Sequence, residues 1–129
     1  GAIKVNYVSP VKLVNTLIAQ QKKSNFKLKF NNITSGASSR AIEGWALYCS
    51  TKAAFKMFLN VVDLESENNI SVTHIDPGVI DTDMQKVIRS KTDKEMKNVH
   101  QFISLRDSNS LKSPDEAARN VLEQAGLIK

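Results

Sequence analysis

Two short strand-like runs, Phe26 to Ile33 and Ile70 to Ile75, stand on either side of one long stretch of helical periodicity from Trp45 to Glu67. No other feature of the chain constrains its fold as much. A helix between two strands returns the chain along the sheet, so the strands lie parallel and the crossover is right-handed. Ala54, Phe58, Val61, Val62 and Leu64 supply apolar positions on that helix, and Asn68-Asn69 interrupts it. Ahead of the first strand, Val11, Val14, Leu17 and Ile18 recur at helical spacing and predict a helix from about Asn6 to Gln21. Pro10 bends its first turn or marks its start, with Ser9 as cap. Polar helices are expected near Met84–Ser90 and Lys94–Ile103. Ser113-Pro114-Asp115-Glu116 then opens the last helix with a capping serine, a proline at the first position and acids in the first turn. Helix and strand in alternation predict an α/β fold with a doubly wound parallel sheet, Rossmann-like in plan. Ligands gather at the carboxyl ends of the strands in such sheets.

The chemistry-bearing residues fall at those ends. Ser35 follows the first strand, and Pro77-Gly78 follows the second. Tyr48 stands thirteen residues after Ser35, and Lys52 four residues after Tyr48. On a helix, positions i and i+4 share a face, so the phenol and the ammonium point the same way. A phenol ordinarily keeps its proton to about pH 10, and a fixed cation beside it favours the phenolate. With a serine hydroxyl to hold a carbonyl oxygen, this is a proton-transfer site for carbonyl–alcohol chemistry. Tyr-x-x-x-Lys alone is weak evidence, because such pairs are common on solvated helix faces. Its weight comes from Ser35, from Pro77-Gly78-Val79-Ile80-Asp81-Thr82 downstream and from Asn6 upstream.

Together these residues resemble the short-chain dehydrogenase/reductase family, from about Asn6 to about Glu123. Gly44-Trp45-Ala46-Leu47-Tyr48-Cys49 and Asp81-Thr82-Asp83-Met84-Gln85 look most like its sepiapterin reductase and benzil reductase branch. The resemblance implies that Tyr48 donates a proton to a carbonyl while a nicotinamide delivers hydride. Lys52 would activate Tyr48 and bond the nicotinamide ribose, Ser35 would orient the carbonyl, and Asn6 would hold a water leading to solvent. Pro77, Gly78, Ile80 and Thr82 would line the nicotinamide end. The branch implies NADP, with NAD possible. It also implies pairing of the two long helices across a two-fold axis, giving a homodimer or tetramer. Phe55, Phe58, Leu59, Val62 and Leu64 cover too wide an arc for one narrow stripe, which agrees. Residues 81–112 correspond to the family's substrate flap. Sepiapterin reductases carry a pterin-anchoring aspartate there, whereas this chain has Ser113 in Leu111-Lys112-Ser113-Pro114, with Asp107 and Asp115 nearby. A dicarbonyl or another small ketone is the better expectation.

Departures from the family pattern carry information too. None of the five glycines stands in the Gly-x-x-x-Gly-x-Gly or Gly-x-Gly-x-x-Gly spacing that brings a pyrophosphate to helix-terminal amides. Residues 1–129 are therefore expected to form the C-terminal catalytic half of one Rossmann-like domain, without its nucleotide-binding βαβ units, and to be inactive alone. A truncated, non-catalytic remnant that serves as a partner-binding fold is the alternative. Phe26-Lys27-Leu28-Lys29-Phe30-Asn31-Asn32 also alternates where a central parallel strand should be continuously apolar.

Composition excludes several other classes. The net charge is +5, but Lys22, Lys23, Lys27 and Lys29 lack interleaved aromatics for base stacking, so no nucleic-acid partner is expected. His74 and His100 have no second ligand at chelating spacing, which argues against a metal. No apolar run approaches the roughly 20 residues that span a bilayer, and the single Cys49 suits a reducing, cytoplasmic setting as a small buried side chain. Pyrophosphate and adenosine contacts dominate dinucleotide binding. Residues 1–129 alone should thus bind NADPH more weakly than micromolar in titration calorimetry, and micromolar affinity would contradict this reading.

Overall fold

The structure, a computed structural model, describes residues 1–66 and 69–129. A π-helical turn, Lys4–Val8, runs into helix α1, Ser9–Ser24, which is followed by strand β1, Leu28–Ile33. A short 3₁₀ turn, Gly36–Ser38, precedes helix α2, Ala46–Glu65, and then strand β2, Ile70–Ile75. Helices α3 (Asp83–Arg89), α4 (Val99–Asp107) and α5 (Pro114–Gln124) complete the chain. The strands pair in parallel, with Leu28 opposite Ile70 and Ile33 opposite Ile75. The expected strand–helix–strand crossover is therefore present.

Side chains alternate across a strand, so the even-numbered residues share one sheet face. On that face Leu28, Phe30, Ile70 and Val72 meet α1 through Val14 and Ile18, and α2 through Phe55, Phe58, Leu59 and Val62. These four α2 residues do fit one stripe, because 55, 58, 59 and 62 follow the i, i+3, i+4, i+7 rule. Leu64 lies outside it and is 86% exposed. The opposite face carries Lys29, Asn31 and Ile33. There the Lys29 ammonium donates to the Ala125 carbonyl at 2.7 Å, just beyond the end of α5. A cation at a helix C-terminus meets unpaired carbonyls and the negative end of the dipole. Helices thus flank both faces of the parallel sheet, and Lys29 is a helix cap within a strand. That role accounts for part of the unexpected alternation, and Asn31 is simply exposed.

Several boundaries differ from the sequence reading. Phe26 lies ahead of β1 and is exposed, and α2 begins at Ala46 with Trp45 as its N-cap. Glu67 and Asn68 lie outside the described residues. Ser9 is the first residue of α1 and caps nothing; the cap position is Val8, without a side-chain bond. The second polar helix starts at Val99, later than expected. Before it, Thr92 donates from its backbone and hydroxyl to Glu95 Oε2 in a closed turn, at 2.9 and 3.0 Å. The last helix has the predicted capping box, with Ser113 and Glu116 bonded reciprocally. Cys49 is half-buried.

On the helix side of β2, the Asn32 amide donates to His74 Nδ1 at 3.0 Å, and His74 Nε2 donates to Asn60 Oδ1 at 2.8 Å. Both bonds are satisfied by one neutral tautomer. Burial lowers the His74 pKa from its ordinary value, the Lys56 charge lowers it further, and Asp63 opposes them. Just below pH 6.5, the ordinary value, the unfolded chain therefore binds more protons at this site than the folded one. Stability is full above that pH and falls as the pH drops toward the lowered folded value. Melting temperatures from about pH 7.5 to 5.5 should fall more steeply for the wild type than for His74→Gln. Equal slopes would remove His74 as the cause.

Candidate active site

Asn6 sits in the middle of the π turn that leads into α1. The physical cause lies four residues on. In a regular α-helix the N–H of residue 10 would reach the Asn6 carbonyl, but Pro10 has no N–H and its ring clashes with that carbonyl. Widening the turn relieves the clash and passes each carbonyl to the N–H five residues on, as the Ser9 N–H reaches the Lys4 carbonyl. Such π turns often occur at functional sites. The Asn6 side chain then donates through Nδ2 to Thr51 Oγ1 at 3.3 Å, across 45 residues of sequence. Thr51 is buried on α2, directly before Lys52, and its own hydroxyl donates to the Tyr48 carbonyl at 3.0 Å. Thr51 therefore joins Asn6 to the turn of α2 that carries Tyr48 and Lys52.

On that turn the Lys52 ammonium lies 5.8 Å from the centre of the Tyr48 ring, within cation–π range. Among the described residues no carboxylate pairs with Lys52. Trp45 meets Tyr48 edge-on at 5.5 Å, and its other contact is a stack on Phe102 of α4 at 5.6 Å. Phe102 thus ties the 81–112 excursion to the start of α2, helped by the exposed Lys97–Glu43 pair at 3.1 Å. Tyr48 is half-buried beneath this aromatic group.

The loops after the strands add the remaining residues. The Thr34 N–H donates to the Ile75 carbonyl at 2.8 Å, extending the ladder by one step and placing Ser35 at the carboxyl end of β1. Ser35 caps the 3₁₀ turn, accepting from the Ala37 N–H at 3.3 Å. Its own hydroxyl hydrogen is left to donate elsewhere. After β2, Gly78 adopts φ +78°, where a side chain would be strained, and its N–H donates to Asp76 Oδ1 at 2.9 Å. Ile80 bridges in parallel to Lys112, supported by Asp81 N–H to the Lys112 carbonyl at 2.9 Å. Thr82 occupies the N-cap of α3 without using its hydroxyl as a cap. The Arg89 guanidinium holds Asp81 at 3.2 Å and so braces this segment.

The structure therefore brings Asn6, Tyr48 and Lys52 together through Thr51, and sets Ser35 and Pro77–Thr82 at neighbouring strand ends. Thr51 was missed in the sequence. A threonine inside a helix carries no signal of its own, although its place beside Lys52 could have suggested a support.

A family model described as short chain dehydrogenase matches residues 1–93, a span that includes every one of these positions. The chain belongs to the short-chain dehydrogenase family. It is 34% identical over 127 residues to a benzil reductase ((S)-benzoin forming) of Bacillus cereus, covering 94% of this chain and 51% of that protein. It is 35% identical over 88 residues to the sepiapterin reductase of Xenopus tropicalis, covering 67% of this chain and 33% of that enzyme. The crystal structure of a short chain dehydrogenase/reductase from Saccharomyces cerevisiae superposes with a TM-score of 0.77 at 26% identity, over 98% of this chain and 51% of that one. The chain spans about half the length of the benzil reductases it matches. It is thus an oxidoreductase-family α/β chain whose sheet is an incomplete Rossmann fold.

Thr51→Val removes both hydroxyl bonds at almost constant shape. It should lower unfolding stability by about 1–3 kcal/mol, the usual cost when a buried polar partner is left unsatisfied, while Thr51→Ser should retain most of it. Urea unfolding checks this; identical midpoints for wild type and Thr51→Val would show that the Asn6 link contributes nothing.

Proposed function

We propose that the complete protein reduces a ketone or dicarbonyl to an alcohol, using a nicotinamide cofactor and Tyr48 as proton donor. The Asn6–Thr51 bond is the observation that carries this reading. It ties an asparagine of the π turn to the helix turn that carries Tyr48 and Lys52, an arrangement a solvated helix face does not need.

The site residues fit a nicotinamide on their own chemistry. Lys52 has an ammonium without a carboxylate partner among the described residues, and the Thr82 hydroxyl is not used as a cap. Gly78 brings no side chain, and the Lys112 ammonium lies 3.6 Å from where a Cβ would stand, a cation beside the proposed nicotinamide end. Lys52 would hold the ribose, and Pro77, Gly78, Ile80 and Thr82 would hold the nicotinamide end. When bound, the cofactor supplies the hydride to the carbonyl carbon. Ser35 donates its free hydroxyl hydrogen to the carbonyl oxygen and orients it. Tyr48 gives that oxygen a proton, and the neighbouring Lys52 charge stabilises the phenolate left behind. A water held by Asn6 would return the proton from solvent through Lys52. NADP is the cofactor proposed, with NAD the alternative.

A small ketone or dicarbonyl suits the 81–112 segment better than a pterin. Ser113 commits its hydroxyl to the cap of α5, and Asp107 pairs with Arg106 at 2.8 Å. We assign residues 81–112 to a flap over the substrate and residues 1–129 to the catalytic half of a single domain. Leu13 on α1 and Met57, Val61 and Leu64 on α2 are exposed, which supports self-association through these two helices.

In the full-length protein, Tyr48→Phe should reduce NADPH-dependent ketone reduction by about a hundred- to ten-thousand-fold with an unchanged circular dichroism spectrum. A variant keeping more than about a tenth of the activity would remove Tyr48 from the mechanism.

A further inference from the structure

A cavity of about 390 Å³ opens beside the Ser35 loop, between the 3₁₀ turn, α2 and the end of β2. Neither Tyr48 nor Lys52 lines it. Its walls are Thr34, Ser35, Ser38 and Ser39, the cations Arg40 and Lys56, and His74 and Asp76. We propose that this cavity binds the carboxylate of a small organic acid, at a site that adjoins the proposed carbonyl chemistry and shares only Ser35 with it.

The donors are arranged for an anion. A side chain at Gly36 would meet the Arg40 guanidinium at 3.2–3.3 Å, so this glycine lets the guanidinium lie close over the turn. Among the described residues no hydrogen bond engages that guanidinium, and no carboxylate pairs with Arg40 or Lys56. Lys56 donates to Ser39 Oγ at 2.9 Å, which aims its ammonium into the loop and leaves two N–H groups unspent. Thr34 donates to Ser38 at 3.0 Å, and Ser38 lies 3.4 Å from Ser39, so the hydroxyls form a chain that ends at the Lys56 charge. A planar guanidinium, an ammonium and hydroxyl donors together recognise an oxyanion.

Charge narrows the class. Asp76 also faces the cavity and keeps Oδ1 on the Gly78 N–H at 2.9 Å. Two cations, one carboxylate and a neutral imidazole leave a net charge of one positive unit. That favours a monoanion over a doubly charged phosphate or sulfate. His74 already registers the Lys56 charge, with Asp63 acting in the opposite sense. An anion seated beside Lys56 would offset part of that charge and raise the His74 pKa, giving the site a built-in reporter.

The test is acetate titration of the full-length protein by NMR at constant ionic strength, with chloride as the balancing ion. Saturable millimolar changes are expected at the amides of Ser35 to Arg40, and the His74 titration should move to higher pH with the His100 resonance unmoved. Arg40→Gln and Lys56→Gln should each weaken acetate by about tenfold. Neither side chain is buried, so both variants should keep the wild-type circular dichroism spectrum. Sulfate should bind more weakly than acetate. Linear, unsaturating shifts, or saturation unchanged in the Arg40→Gln/Lys56→Gln double variant, would overturn the site. Tighter sulfate binding would overturn the carboxylate assignment.

Discussion

Leu59 and Val62 seat α2 against Val14 of α1 and Ile70 of β2, and this apolar contact sets the position of every polar group the helix carries. A helix with one buried stripe has no rotational freedom left. With 55, 58, 59 and 62 turned inward, Thr51 turns inward too and meets the Asn6 side chain. Lys52, Lys56, Asn60 and Asp63 share one edge of that stripe, where Asn60 meets His74, Asp63 accepts from the Val72 N–H at 2.8 Å and Lys56 donates to Ser39 at 2.9 Å. A single hydrophobic contact therefore places the turn that carries Tyr48 and Lys52 and, one turn further on, the turn that carries Lys56.

Pro10 acts on the first of these turns from a distance. Had residue 10 carried an N–H, the turn around Asn6 could have closed as an ordinary α-helix. The same residue that disturbs the helix thus places Asn6 in a widened turn, from which its side chain reaches Thr51.

Much of this was legible in the sequence. The β2 boundaries, the capping box at Ser113 and the parallel crossover each follow from a local signal: an apolar run, a Ser-Pro-x-Glu cap and a strand–helix–strand spacing. Ser35, Tyr48 and Lys52 were singled out because their spacing agreed with the place of Ser35 at a strand end and of the other two on the following helix. The π turn was not, since Pro10 reads equally well as a helix start; only the continuation of helix upstream shows that it lies inside one. Lys29 was legible only in part. Its alternation with apolar residues pointed to a weakly buried strand, and β1 has no buried residue, but its partner, the Ala125 carbonyl, lies 96 residues away. Arg40 and Lys56 are sixteen residues apart and belong to no motif, so only the tertiary fold brings them to one cavity.

The two proposed sites also differ in what they demand of their occupants. On the Tyr48 side, the proposed reaction needs a cation without a carboxylate partner, because a paired Lys52 would stabilise a phenolate less. On the Arg40 side, the cavity holds two cations but admits Asp76, so its net field is modest and a doubly charged ligand gains little. Ser35 takes part in both proposals. Its oxygen is fixed by the Ala37 N–H, and its hydrogen can be given to a carbonyl or to an anion, but not to both at once. Any ligand that took that hydrogen in the Arg40 cavity would compete directly with carbonyl orientation. The shared serine makes the two sites interdependent through one proton, with no movement of the backbone required.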